Sequence, residues 1–77
     1  MTYREFYAAL ELIFQLKPNT IQGTEALDDL GEWDSLAKIS FIAMADAELG
    51  AAVSAKALLA CKTVQHLVKL FDGLITQ

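Results

Sequence analysis

One cysteine, one proline and one histidine occur among the 77 residues, and each scarcity closes off a class of protein. A lone Cys61 forms no internal disulfide, and one thiol with one histidine is no metal site. Low glycine and a single proline in a chain rich in Ala and Leu favour helices. Bases are few as well. Six Lys and Arg stand against ten Asp and Glu, a net charge of −4, and the bases are scattered from Arg4 to Lys69. Nucleic-acid binding draws on clustered cations to displace counterions, so that role is disfavoured. No charge-free run reaches the roughly 18 residues that span a bilayer, because Lys38, Asp46 and Glu48 interrupt the most apolar stretch. Arg4, Glu5 and Glu11 rule out a secretory signal at the start. The chain reads as soluble, cytoplasmic and monomeric. Residues 1–77 make one domain near the lower limit for an unassisted core.

What is present is helical periodicity. Thr2 and Glu5 have the Thr-x-x-Glu spacing of a capping box. After them Tyr3, Phe6, Tyr7, Leu10, Ile13 and Phe14 recur at spacings of three and four. Pro18 predicts the end of that helix, since it biases Lys17 away from helical geometry. Residues 18–34 then form a long irregular connection, with Ile21, Leu27 and Leu30 as apolar anchors and a short helical turn expected around 25–30. A second helix is expected over Ser35–Leu49, with Asp34 as N-cap and Gly50 as C-terminal cap. Its apolar face is read as Leu36, Ile39, Ile42, Ala43 and Leu49, with Phe41 and Ala45 as further packing positions. A brief third helix is expected over 54–60. Thr63 then caps a fourth, whose apolar set is Val64, Leu67, Val68, Leu70, Phe71 and Ile75. The expected core comprises Phe6, Leu10, Ile13, Ile39, Ile42, Leu49, Val64, Val68 and Phe71.

The segment Glu32-Trp33-Asp34-Ser35-Leu36 sets an acidic cap and one serine at a helix start. An enzyme needs a nucleophile with its base, or clustered carboxylates. Asp34 does not replace a histidine base, and His66 lies in another element, read there as a helix-surface residue. Ser35 is therefore poorly built to attack a substrate and well placed to be modified by another enzyme. Cys61 is read as a buried, inert thiol on the apolar face of the third helix.

Three short runs together carry a family likeness: Leu27-Asp28-Asp29-Leu30 in the first loop, Asp34-Ser35-Leu36, and Thr63-Val64 followed by Leu67 and Val68. In this order, over essentially the whole chain, they resemble the acyl and peptidyl carrier proteins. The resemblance implies an all-α four-helix bundle of three long helices plus a short third helix, with a long first loop. It implies that a phosphopantetheinyl transferase attaches 4′-phosphopantetheine from coenzyme A to Ser35. Asp34 would then serve as helix cap and transferase recognition residue, and acyl-loading and acyl-transferring enzymes would be the further partners. A phosphodiester at a helix start sits in a favourable field, beside unpaired N–H groups and the positive end of the dipole.

The chain departs from the fatty-acid-synthesis members, whose helix after the serine is strongly acidic. Here that surface holds Ala37, Lys38, Ser40 and Ala47, and keeps Asp34, Asp46 and Glu48. The third helix shows Ala52, Ala55 and Lys56 where acids are expected. The expectation is a specialised carrier for a polyketide, nonribosomal peptide or other dedicated acyl pathway. Its partner contacts would be Leu36, Met44, Asp46 and Glu48. The alternative is an unmodified helical interaction module with a carrier-like fold. Met1 followed at once by a capped helix fits a free-standing protein.

Overall fold

The computed structural model describes residues 1–71 and 73–77. Thr2, in extended geometry, opens α1 (Tyr3–Phe14): its hydroxyl accepts the Glu5 N–H at 3.1 Å, and the Glu5 carboxylate accepts the Thr2 N–H at 2.8 Å. The helix stops before the position that Pro18 marks. Gln15 enters the left-handed region at φ 59° and the Leu16 N–H returns to the Glu11 carbonyl at 2.7 Å, a closure usually given to glycine. A single turn, α2 (Leu27–Leu30), interrupts the long loop.

Asp34 then starts α3 (Ser35–Leu49), and its Oδ1 accepts the Ala37 N–H at 2.9 Å. Gly50, at φ +62°, ends it as expected. Ser54 caps α4 (Ala55–Leu59). Thr63 caps α5 (Val64–Lys69) through the His66 N–H at 3.2 Å. The last helix is shorter than its apolar pattern predicts. After Lys69 the chain tightens into three-residue turns, Leu70 N–H to Leu67 and Phe71 N–H to Val68, both 3.1 Å. That tightening delivers Phe71 and Ile75 to the interior.

The fold is all-α, and among the described residues the extended pairing is limited to two isolated bridges. One joins Thr2 to Thr76. The other joins Ala26 to Thr63, through the Leu27 N–H to Lys62 carbonyl (2.9 Å) and the Val64 N–H to Glu25 carbonyl (3.0 Å). The loop before α2 is thereby stitched to the start of α5.

Phe6, Phe41 and Phe71 form the centre of the core. Each pair of these rings lies 5.9 Å apart, at inclined or edge-on angles that favour the ring quadrupoles. Leu10, Ile21, Leu27, Leu58, Val64 and Leu67 surround them, fully buried. Ile13, Ile42, Leu49 and Val68 pack half-buried at its edge. Ile39, expected inside, is 62 % exposed. The correction follows from the rotation of α3, which buries Ala37, Phe41 and Ala45 at intervals of four. Leu36 and Ala43 turn outward along with Ile39.

Candidate functional site

Ser35 is the first residue of α3 and is exposed. Asp34 holds the turn from both its groups: Oδ1 takes the Ala37 N–H, and its carbonyl takes the Lys38 N–H at 3.0 Å. The N–H groups of Ser35 and Leu36 precede the first intrahelical bond and face outward with the positive end of a 15-residue helix. A hydroxyl there, beside two donors left unused among the described residues, fits a phosphodiester. No hydrogen bond joins the Ser35 hydroxyl to a base among the described residues, and Asp34 is already committed to the cap. The site can receive a group.

The loop ahead of Ser35 is held by packing and by a buried carboxylate. Trp33 lies between Phe14 and Phe41, with centroid separations of 5.6 and 6.0 Å. Its Nε1 is buried without a partner among the described residues, a cost its ring contacts must offset. Further back, Glu11 is only 4 % exposed, and its Oε2 accepts the Ile21 N–H at 2.9 Å. Arg4 lies 3.9 Å from the same oxygen and donates to the Ile21 carbonyl at 2.9 Å and to Asn19 Oδ1 at 2.6 Å. Glu25 folds the next turn by accepting the N–H groups of Gln22 (2.6 Å) and Gly23 (2.9 Å). Burial pushes the Glu25 carboxyl up, but these backbone donors together outweigh it and hold its pKa below the usual carboxylate value.

The four expected contact residues spread over two faces of α3. Leu36, 72 % exposed, begins an outward ridge with Ile39, Ala43 and Ala47, and Asp46 is the exposed acid along the same ridge. Met44 and Glu48 instead line a groove of about 660 Å³ against α1, with Ala8, Ala9 and Leu12 opposite. A second groove, of about 560 Å³, lies between the C-terminal end of α1 and the start of α3, lined by Leu12, Glu32, Asp34, Leu36 and Ser40. The structure thus brings Asp34 and Leu36 together and sets Met44 and Glu48 apart from them.

Several residues carry roles that the pattern did not reveal. Leu12, on the side of α1 away from the Phe6–Leu10 stripe, is 80 % exposed at the groove that Asp34 and Leu36 also line. Glu11 was a charge in an apolar segment, with no signal that it would be buried. His66 is an exposed helix-surface residue as expected, but its Nδ1 also accepts the Lys62 N–H at 3.0 Å, completing the α5 cap. Cys61 is buried just beyond α4 rather than on it; its thiol donates to the Ala57 carbonyl at 3.5 Å, and burial raises its pKa. No helix of the described residues is long and apolar enough to cross a membrane.

The family model described as a phosphopantetheine attachment site matches residues 4–71. That span takes in α1 to α5 almost whole, with Ser35 near its middle. Neither the curated proteins nor the solved structures yield a match.

Proposed function

The chain belongs to the phosphopantetheine attachment-site family, and on that premise we propose that it is an acyl carrier protein with Ser35 as its attachment residue. Domains of this family take 4′-phosphopantetheine covalently. The observation that carries the assignment of Ser35 is its exposed hydroxyl at the first position of α3, beside N–H groups that no other group among the described residues uses. Asp34 keeps those donors in place by fixing the first turn, and it presents a carboxylate to the transferase. The chain's own residues hold the phosphodiester at the helix start and leave its far end in solvent. The thiol on that far end carries acyl or aminoacyl groups as thioesters to partner enzymes.

The outward ridge of α3 supports a specialised pathway, one that builds a polyketide, a nonribosomal peptide or another dedicated acyl product. Leu36, Ile39, Ala43 and Ala47 expose apolar surface there, with Asp46 as the ridge's acid. A docking partner matched to this ridge gains more from buried area than from ion pairs. Leu36 is the principal apolar contact on the ridge, with Asp46 at its rim, and Met44 and Glu48 contribute from the adjoining groove against α1.

Incubation with a phosphopantetheinyl transferase and coenzyme A, followed by intact mass measurement, tests the assignment. The expected result is a gain of one phosphopantetheine group by the wild type and none by Ser35→Ala. Failure of the wild type to gain mass leaves an unmodified helical interaction module. Modification of Ser35→Ala moves the attachment elsewhere.

A further inference from the structure

We propose that the cleft between α1 and α5, floored by Tyr3 and Tyr7, docks an acidic segment of a partner protein that carries an aromatic or aliphatic side chain. This goes beyond the carrier reading and involves none of the residues named for it.

The floor comes first. Tyr3 and Tyr7 sit one turn apart on α1, both half-buried, with ring centroids 6.3 Å apart. Tyr7 meets Phe6 of the core edge-on at 6.5 Å. Gly23 passes so close to the Tyr7 hydroxyl that a side chain there would displace the ring. Tyrosines held in this way offer contact area at little cost in entropy. Two adjoining hollows, of about 500 and 260 Å³, share them as a floor together with Gln22. The larger opens against Gln65, Val68 and Lys69 of α5, and the smaller against Arg4 and Ile21.

Charge selects the occupant. The chain holds ten Asp and Glu, yet among the described residues none lines either hollow, while Lys69 lines one and Arg4 the other. The seam between α1 and α3 is the reverse. Glu32 and Asp34 line one of its grooves, Glu5 and Glu48 the other, and no described Lys or Arg joins them. Arg4 is fixed by Asn19 Oδ1 and the Ile21 carbonyl, its guanidinium carbon 5.4 Å from the Tyr7 ring centroid. Glu11, 3.9 Å from Arg4, offsets part of that charge. Lys69, exposed in the last turn of α5, therefore carries most of the attraction. A carboxylate-bearing segment finds cations here and is repelled from the α1–α3 seam, which fixes where it docks. Its apolar side chain covers the tyrosines, residues that interfaces favour.

The probe is a short synthetic peptide of Glu, Asp and Ser around a central Trp-Leu pair, titrated into ¹⁵N-labelled protein. Amides in 3–7, 22–24 and 65–69 should shift, with a Kd of about 1 mM or tighter. Lys69→Glu should weaken binding at least about fivefold, because attraction becomes repulsion. Lys56→Glu, the same charge change on α4 and outside the cleft, should stay within about twofold. A counterpart peptide with Lys for every acid should leave the cleft amides in place. No shift at about five times that Kd, shifts centred on 36–48, or an equal response to the Lys peptide overturns the proposal. Cleft amides that move with protein concentration alone assign the cleft to a second copy and overturn it as well. Lys69→Glu should still gain phosphopantetheine within about twofold of the wild-type rate; a larger fall gives the cleft to the transferase instead. The peptide measurement does not depend on Ser35, so its outcome and that of the carrier assignment are read separately.

Discussion

The Glu11 carboxylate accepts the backbone N–H of Ile21 at 2.9 Å inside the protein, joining α1 to the middle of the long loop. Removing the acceptor strands a buried donor. Glu11→Ala should therefore cost about 2–3 kcal/mol, in the range for hydrogen bonds to charged groups. Glu11→Gln, which keeps a carbonyl oxygen in reach, should cost less. Urea denaturation of the two variants checks this, and equal losses would show that charge rather than the acceptor holds the loop.

Phe41 and Ile39 are both large and apolar and lie two residues apart on α3, yet they face opposite ways. Phe41→Ala should lose about 3–5 kcal/mol, as for a buried aromatic. Ile39→Ala should stay within about 0.5 kcal/mol of wild type, as surface substitutions do. Thermal and urea unfolding measure both, and a large loss at Ile39 would contradict the rotation of α3 described above.

Ser35→Ala should fold with stability within about 0.5 kcal/mol of wild type, since the side chain is exposed and the cap belongs to Asp34. Asp34→Ala removes the cap and should cost about 1 kcal/mol. It should also slow modification, because the helix start proposed to receive the phosphodiester frays. Circular dichroism melts together with the rate of mass gain separate the two effects.

Glu25 sets an acid limit on the loop. Its folded pKa is held below the ordinary carboxylate value, so it binds a proton less readily folded than unfolded. Its contribution is present above the unfolded pKa and is lost as pH falls through the folded one. Glu25→Gln should be less stable than wild type at neutral pH. The gap should close as the solution is acidified below the usual carboxylate range. A gap that widens in acid would reverse the sign argued here.

Loading by the enzyme that supplies the acyl group should fall further in Leu36→Ala or Met44→Ala than in Asp46→Asn or Glu48→Gln. Exposed rim charges contribute little individually, whereas the two apolar side chains offer area to bury. Steady-state rates with the four variants decide it. The opposite ranking would place the docking energy in the acids.

Sequence signals with a local mechanism predicted the structure well. Thr2, Asp34, Ser54 and Thr63 each satisfy an N–H of their own first turn, and a cap needs nothing beyond its neighbours. The bounds of α3 and the position of Ser35 followed from Asp34 and Gly50 alone. Its rotation did not. Leu36, Ile39 and Ala43 make as good an apolar stripe as Ala37, Phe41 and Ala45, so periodicity leaves the inward face undecided until α1 and α4 pack against it. The end of α1 was hidden for another reason: Gln15 takes a left-handed cap without the glycine that would announce it. Glu11 and Arg4 depend on where Asn19 and Ile21 arrive, which no local spacing encodes. Tertiary placement likewise put Leu12 beside Leu36.

The bridge between Thr2 and Thr76 ties the residues that open α1 to the segment that follows α5. The Tyr3 N–H reaches the Thr76 carbonyl at 2.7 Å, and the Thr76 N–H reaches the Met1 carbonyl at 2.9 Å. A pairing across so long a separation costs the entropy of closing nearly the whole described length before its own bonds offset it, so it forms only once the core between has assembled.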